Sequence, residues 1–134
     1  MSDAQSALST AIRSVLLADA GLLTIIGADG VHDRLLTKAA MPYVVLREIV
    51  STEWGADDDG GLEHQLLIDC WSGQSGHRQA ETMAGLIRAS LDNRPLALEG
   101  FSLIGLYHVR TRTRRETKTD AHVAEMTFRA VTAE

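Results

Sequence analysis

Leu8, Ile12, Val15 and Leu16 recur at i, i+4, i+7 and i+8, the spacing that gathers apolar side chains into one stripe of a helix. It predicts a helix over residues 3–18. Asp19 then stands where a cap belongs, and Leu22, Leu23, Ile25 and Ile26 give core to a shorter helix that Gly27 ends. Residues 28–30 read as a turn. Residues 31–36 alternate poorly and fit either a short strand or an irregular link.

From Pro42 onward the period changes. Tyr43, Val44, Val45 and Leu46 form a β-branched and aromatic run that a proline can begin, so residues 43–50 read as a strand. Leu62, His64, Leu66, Ile68 and Cys70 alternate with Glu63, Gln65, Leu67, Asp69 and Trp71, which predicts a strand with one mainly apolar face. Residues 52–61, acidic and glycine-containing, join the two as a long hairpin loop. Residues 72–76 break the strand. Ala80, Met83, Ala84, Ile87 and Leu91 then return to helical spacing, with Ser75 as N-cap and an end near Asn93 before Pro95.

A strand over residues 101–111 follows, apolar on both faces at first and solvated later, so it should begin beneath a helix and project beyond the body. In the last strand His122, Ala124, Met126, Phe128 and Ala130 face inward, opposite Val123, Glu125, Thr127 and Arg129. Residues 111–120 therefore form the tip of a second long hairpin. Helices, a hairpin, a helix and a hairpin make an α+β fold with an antiparallel β-sheet of two long hairpins packed against helices. Tyr43, Val45, Leu66, Ile68, Met83, Ile87, Met126 and Phe128 are its expected core.

Composition narrows the class. A chain of 134 residues with 45% hydrophobic and 23% charged side chains has the length of one domain, residues 1–134, and the make-up of a globular protein. Its single cysteine, Cys70, cannot form an internal disulfide, which fits synthesis in a reducing cytoplasm. No apolar stretch reaches the ~18 residues of a membrane span and no basic region precedes an apolar run, so neither a membrane protein nor an exported precursor is expected.

Net charge is −5, which disfavours a general nucleic-acid binder. The charge is split, however. Residues 53–63 hold Glu53, Asp57, Asp58, Asp59 and Glu63 without a base, while residues 110–118 hold Arg110, Arg112, Arg114, Arg115 and Lys118 against Glu116 alone. Opposite charge on two hairpins suggests contact between copies, and a head-to-tail contact that closes makes a ring. Trp54, aromatic within a polar loop, is a contact anchor in that reading. A solvated arm that discourages edge aggregation is the plainer account. The basic hairpin 110–118 also suits a nucleic-acid-binding or other small interaction module, although no aromatic is interleaved for stacking on bases.

Motifs for catalysis are sparse. The sequence contains no P-loop, GxGxxG or GxSxG. His32, His64, His77, His108 and His122 never stand at HxH or HxxxH spacing, so no local zinc chelate is encoded. His64, His108 and His122 fall on strands, where convergence would give a metal site or a small hydrolase; ordinary strand histidines are the simpler reading. Cys70 reads as a small buried hydrophobe. Asp57 to Asp59 before Gly60 and Gly61 lack the acid spacing and closing Glu of a calcium loop. No catalytic residue, metal or cofactor is therefore assigned.

The order of elements resembles the tail completion, or tail terminator, family of long-tailed bacteriophages, prophages and gene transfer agents. The resemblance runs through the helix with Leu8, Ile12 and Leu16, Gly27, Gly30-Val31-His32-Asp33 and Pro42-Tyr43-Val44-Val45. It continues through Ile68-Asp69-Cys70-Trp71-Ser72, the helix after Gly76, Leu96-Ala97-Leu98-Glu99-Gly100, His122 and Phe128-Arg129-Ala130, covering residues 8–131. The last hairpin turn, residues 115–120, departs from it in lacking glycine. The resemblance implies a structural assembly protein of the particle tail, made in the bacterial host cytoplasm. It implies a homo-oligomeric ring, hexameric in relatives, that caps the head-proximal end of the tail tube and ends its polymerisation. Its partners are then the tail tube protein and the head-completion or connector protein, with genomic DNA passing through the ring without specific binding.

Overall fold

The computed structural model describes residues 3–33, 40–53, 61–73 and 77–134. The first periodicity forms helix α1 (Asp3–Leu17), with Ala4, Leu8, Ile12 and Leu16 buried along one stripe. Helix α2 (Ala20–Ile26) starts at Asp19, whose Oδ1 accepts the Leu22 N–H at 3.1 Å. It ends at Gly27, whose φ of 79° needs no Cβ and whose N–H returns to the Leu23 carbonyl. Gly30 is required for another reason: a Cβ there would run into the Ile26 carbonyl.

The strands are β1 (Val31–His32), β2 (Tyr43–Glu53), β3 (Leu62–Ser72), β4 (Ala97–Leu98), β5 (Phe101–Glu116) and β6 (Ala121–Ala133). Helix α3 (Arg78–Leu91) lies between β3 and β4 in sequence. The six strands make one sheet in the order β1-β2-β3-β6-β5-β4, antiparallel except for the short parallel pair of β1 and β2. The predicted α+β class is the observed one. Both long hairpins exceed their expected length, because β2 continues to Glu53, β5 to Glu116 and β6 to Ala133. Of the link over residues 31–36, Val31–His32 form a two-residue strand, and residues 34–36 lie outside the described residues.

Two local expectations change. Helix α3 begins at Arg78 after His77, which makes no side-chain cap, and Ser75 lies outside the described residues. Its end agrees with the expected one near Asn93: the helix stops at Leu91 with Asp92 as C-cap, and Asn93 at φ 60° carries the chain away. The start of β5 is covered on one side only: Leu106 is buried, but Ile104 and Val109 are each 55% exposed. Both sit in irregularities of the β5–β6 register, and a bulge turns its extra side chain out of the ladder. The glycine-free turn after β5 closes with Asp120 at φ 53°, a conformation that Asp tolerates better than most residues.

One face of the sheet carries the main core. Leu66, Ile68 and Cys70 of β3 and Ala124, Met126, Phe128 and Ala130 of β6 pack against Leu8, Ile12 and Leu16 of α1 and Met83, Ile87 and Leu91 of α3. All eight expected core residues are buried, yet Tyr43 and Val45 belong to a second cluster with Trp71, Ala121 and Val123. Strand alternation places that cluster on the face opposite the helices.

Replacing Ile68 or Phe128 with Ala should cost ~2–5 kcal/mol, read as a lowered midpoint in urea unfolding; unchanged midpoints would refute this register. Asp19 yields a second expectation. A hydrogen bond from Ser90 Oγ to its Oδ2, 2.6 Å long, is the largest cause of a depressed carboxyl pKa, with backbone N–H donors adding to it. A depressed folded pKa contributes stability above the unfolded value, ~3.9, and loses it as pH falls through the folded one. Asp19→Ala should therefore cost ~0.5–2 kcal/mol near neutral pH, and the gap to the parent should narrow below pH ~4.

Candidate assembly surface

The sheet face away from α1 and α3 is charged and ordered into rows. Residues directly opposite on β2, β3, β6 and β5 run Val50, Gln65, Arg129, Tyr107 in one row and Glu48, Leu67, Thr127, Arg110 in the next. Asp69, Glu125 and Arg112 share a third. Ion pairs cross it: Arg47 Nε to Asp69 Oδ2 at 2.7 Å, Arg112 Nη2 to Glu125 Oε1 at 3.2 Å, Arg114 Nε to Glu125 Oε2 at 3.0 Å, and Arg129 to Glu63. Burial pushes the Asp69 carboxyl up, and the Arg47 guanidinium opposes it. A cavity of about 260 Å³ lies over Asp69 and Trp71, bordered by Arg47, Arg114, Glu116 and Glu125.

Strand β5 and its turn place the basic residues found in the sequence. Arg112 and Arg114 meet Glu125, Arg114 also reaches Glu116 at 3.2 Å, and Arg115 Nη2 is 2.8 Å from Asp120 Oδ1. Their charge is thus partly matched within the chain. Arg110 is exposed and has no ion pair among the described residues. Trp54, Asp57, Asp58 and Asp59 lie outside the described residues, so only their flanks are placed. Leu62 pairs with Thr132 and Ser72 with His122, which sets the β2–β3 turn and the β5–β6 turn at opposite ends of the sheet.

The strand histidines do not converge. His64 is fully buried, with Nδ1 2.6 Å from Ser51 Oγ and Nε2 2.9 Å from Thr132 Oγ1, while Gln5 Nε2 donates to Ser51 Oγ at 2.6 Å. If Gln5 donates to Ser51, the Ser51 O–H donates to Nδ1 and the Nε2–H to Thr132, a consistent neutral tautomer. Burial holds the His64 pKa down. The relay ties Gln5 of α1 to Ser51 of β2, His64 of β3 and Thr132 of β6, and so fastens α1 to three strands. His108 packs edge-on against Phe128 and His122 against His77. Among the described residues no three His, Cys, Asp or Glu side chains stand as a metal group. Burial pushes the Cys70 thiol far up, which suits a hydrophobe and not a nucleophile.

Sequence reasoning missed Arg47 and Glu48, and it named Glu63 in the acidic segment and Arg129 on the outward strand face without their mutual ion pair. Cross-strand partnership depends on register, which the sequence leaves open. It also missed where the exposed large apolar side chains gather. Among the described residues they are Val50 at 42%, Ile104 at 55%, Tyr107 at 43% and Val109 at 55%, all on β2 or β5.

Comparison with known proteins agrees with this architecture. A chain from a structure titled "Virion of native gene transfer agent (GTA) particle" superposes with a TM-score of 0.88 at 27% identity, covering 97% of both chains. A second solved protein, 14% identical with a TM-score of 0.60 over 95% of this chain and 94% of its own, shares the fold. No curated protein matches by sequence. The sequence profile described as "Tail completion protein gp17" matches residues 10–133, nearly the whole chain, and the protein therefore belongs to the tail completion family.

Proposed function

We propose that this chain forms a hexameric ring on the head-proximal end of a phage-like tail tube, where it ends tube polymerisation and presents the surface that joins the head. That it is a structural protein of such tails follows from its family; the ring and the cap are the proposal. The carrying observation is the position of the two hairpins. They turn at opposite ends of the sheet, so copies set side by side would present one hairpin on each rim. The acidic segment between β2 and β3, with Trp54 and Asp57 to Asp59, would serve one rim, and the turn after Arg110, Arg112, Arg114 and Arg115 the other. Contact of acidic loop with basic hairpin then joins stacked layers and not neighbours within a ring.

The nucleic-acid reading is weaker on this geometry. Arg112, Arg114 and Arg115 already meet Glu125, Glu116 and Asp120, which leaves little unmatched positive charge to displace counterions from a phosphate backbone.

Electron microscopy of a producer lacking the gene should show heads apart from tails and tails of uncontrolled length. The parent gene should restore joined particles. The double reversal Arg112→Glu and Arg115→Glu should not, although exposed pairs of this kind contribute little to folding. Arg114 is kept, because a carboxylate there would face both Glu116 and Glu125. Normal particles without the gene would refute the capping role, and full rescue by the double variant would remove the basic hairpin from the joining surface.

A further inference from the structure

We infer that the open edge of β5 on one copy pairs antiparallel with the open edge of β2 on a second copy, setting Arg110 beside Glu48. The inference rests on the ring reading and names the surface that would build it.

The chain covers part of each edge and then stops. On β2, the parallel strand β1 pairs only with Val44 and Val45. From Leu46 to Glu53 no strand lies outside it among the described residues, although the Gln5 side-chain amide donates to the Ile49 carbonyl at 3.3 Å. On β5, β4 pairs only with Phe101 and Ser102. The α3–β4 link then takes over: the Asn93 N–H donates to the Leu106 carbonyl at 2.7 Å and the His108 N–H to Asp92 Oδ1 at 2.9 Å. Beyond His108 this cover ends, leaving Val109 to Glu116. Uncovered edges are templates for another strand, and closure into a ring removes them.

A second copy fits as the occupant by charge, apolarity and direction. Glu48 and Arg110 are the two ends of a single row across the sheet, and neither has an ion pair among the described residues. Val50 and Tyr107 end the adjoining row and are both exposed. Repeating the sheet sideways brings Arg110 against Glu48 and Tyr107 with Val109 against Val50. Since β2 and β6 run one way and β3 and β5 the other, β5 meets the next β2 antiparallel, with α1 and α3 of every copy on the same side. Such a head-to-tail contact uses two different surfaces and so can close on itself.

Disulfide trapping tests this. Facing residues of an antiparallel pair have Cα atoms ~4.5–5.5 Å apart, within reach of a disulfide. Particles carrying Glu48→Cys together with Arg110→Cys should, after mild oxidation and a non-reducing gel, lose the monomer band to a ladder of covalent multimers. Either single variant, and Thr52→Cys with Arg110→Cys, should stay monomeric. Cys70 is buried and supplies no background. Exposed positions make misfolding of the variants unexpected, and intact particles verify their folding. No ladder from particles that contain the chain as a ring would overturn the edge pairing alone. A ladder only from Glu48→Cys with Arg112→Cys would overturn the stated register. Isolated single copies in particles, seen by microscopy, would overturn the ring and this pairing with it.

Discussion

The fold depends on covering one face of a long antiparallel sheet. Period-two alternation in β3 and β6 sends Leu66, Ile68, Met126 and Phe128 to the side where α1 and α3 lie, and burying such side chains is the main favourable term. The same alternation sends Glu63, Asp69, Glu125 and Arg129 to the other side. With no helix there among the described residues, charges of both signs satisfy one another across strands. The core and the charged face are one pattern read from its two sides.

That one-sidedness has electrostatic and topological consequences. Asp69, beside the small cluster of Tyr43, Val45 and Trp71, is buried enough that its charge costs solvation, and Arg47 reduces the cost. Removing one partner of such a pair is more harmful than the pair is helpful. At its sides the sheet is guarded unequally: β1, β4, Asp92 and Asn93 occupy short lengths of the edges, and register irregularities turn Ile104 and Val109 outward. An isolated molecule thus exposes apolar side chains at both edges. A closed assembly would hide them without any change of fold.

Much of this was readable along the chain. The buried set of α3, Ala80, Met83, Ala84, Ile87 and Leu91, is the one its spacing predicts, and Asp19 and Gly27 bound α2 as their chemistry requires. Local signals of this kind survive folding because propensity, capping and burial agree. The α3 cap and the reach of β5 were not readable, since strand length is set by tertiary pairing with β6 and not by local preference. The basic residues were visible, but their commitments to Glu125 and Asp120 were not. Charge was apparent in the sequence, while register decided which charges remained unmatched.

Copy number per particle tests the central claim most directly. Quantitative mass spectrometry of purified particles, with the tube protein as internal reference, separates a cap from a tube component. A terminal ring predicts a constant number of copies per particle, six if the ring is hexameric, unchanged when tail length is altered. Copies that rise in proportion to tail length, or that are absent from joined particles, would contradict it.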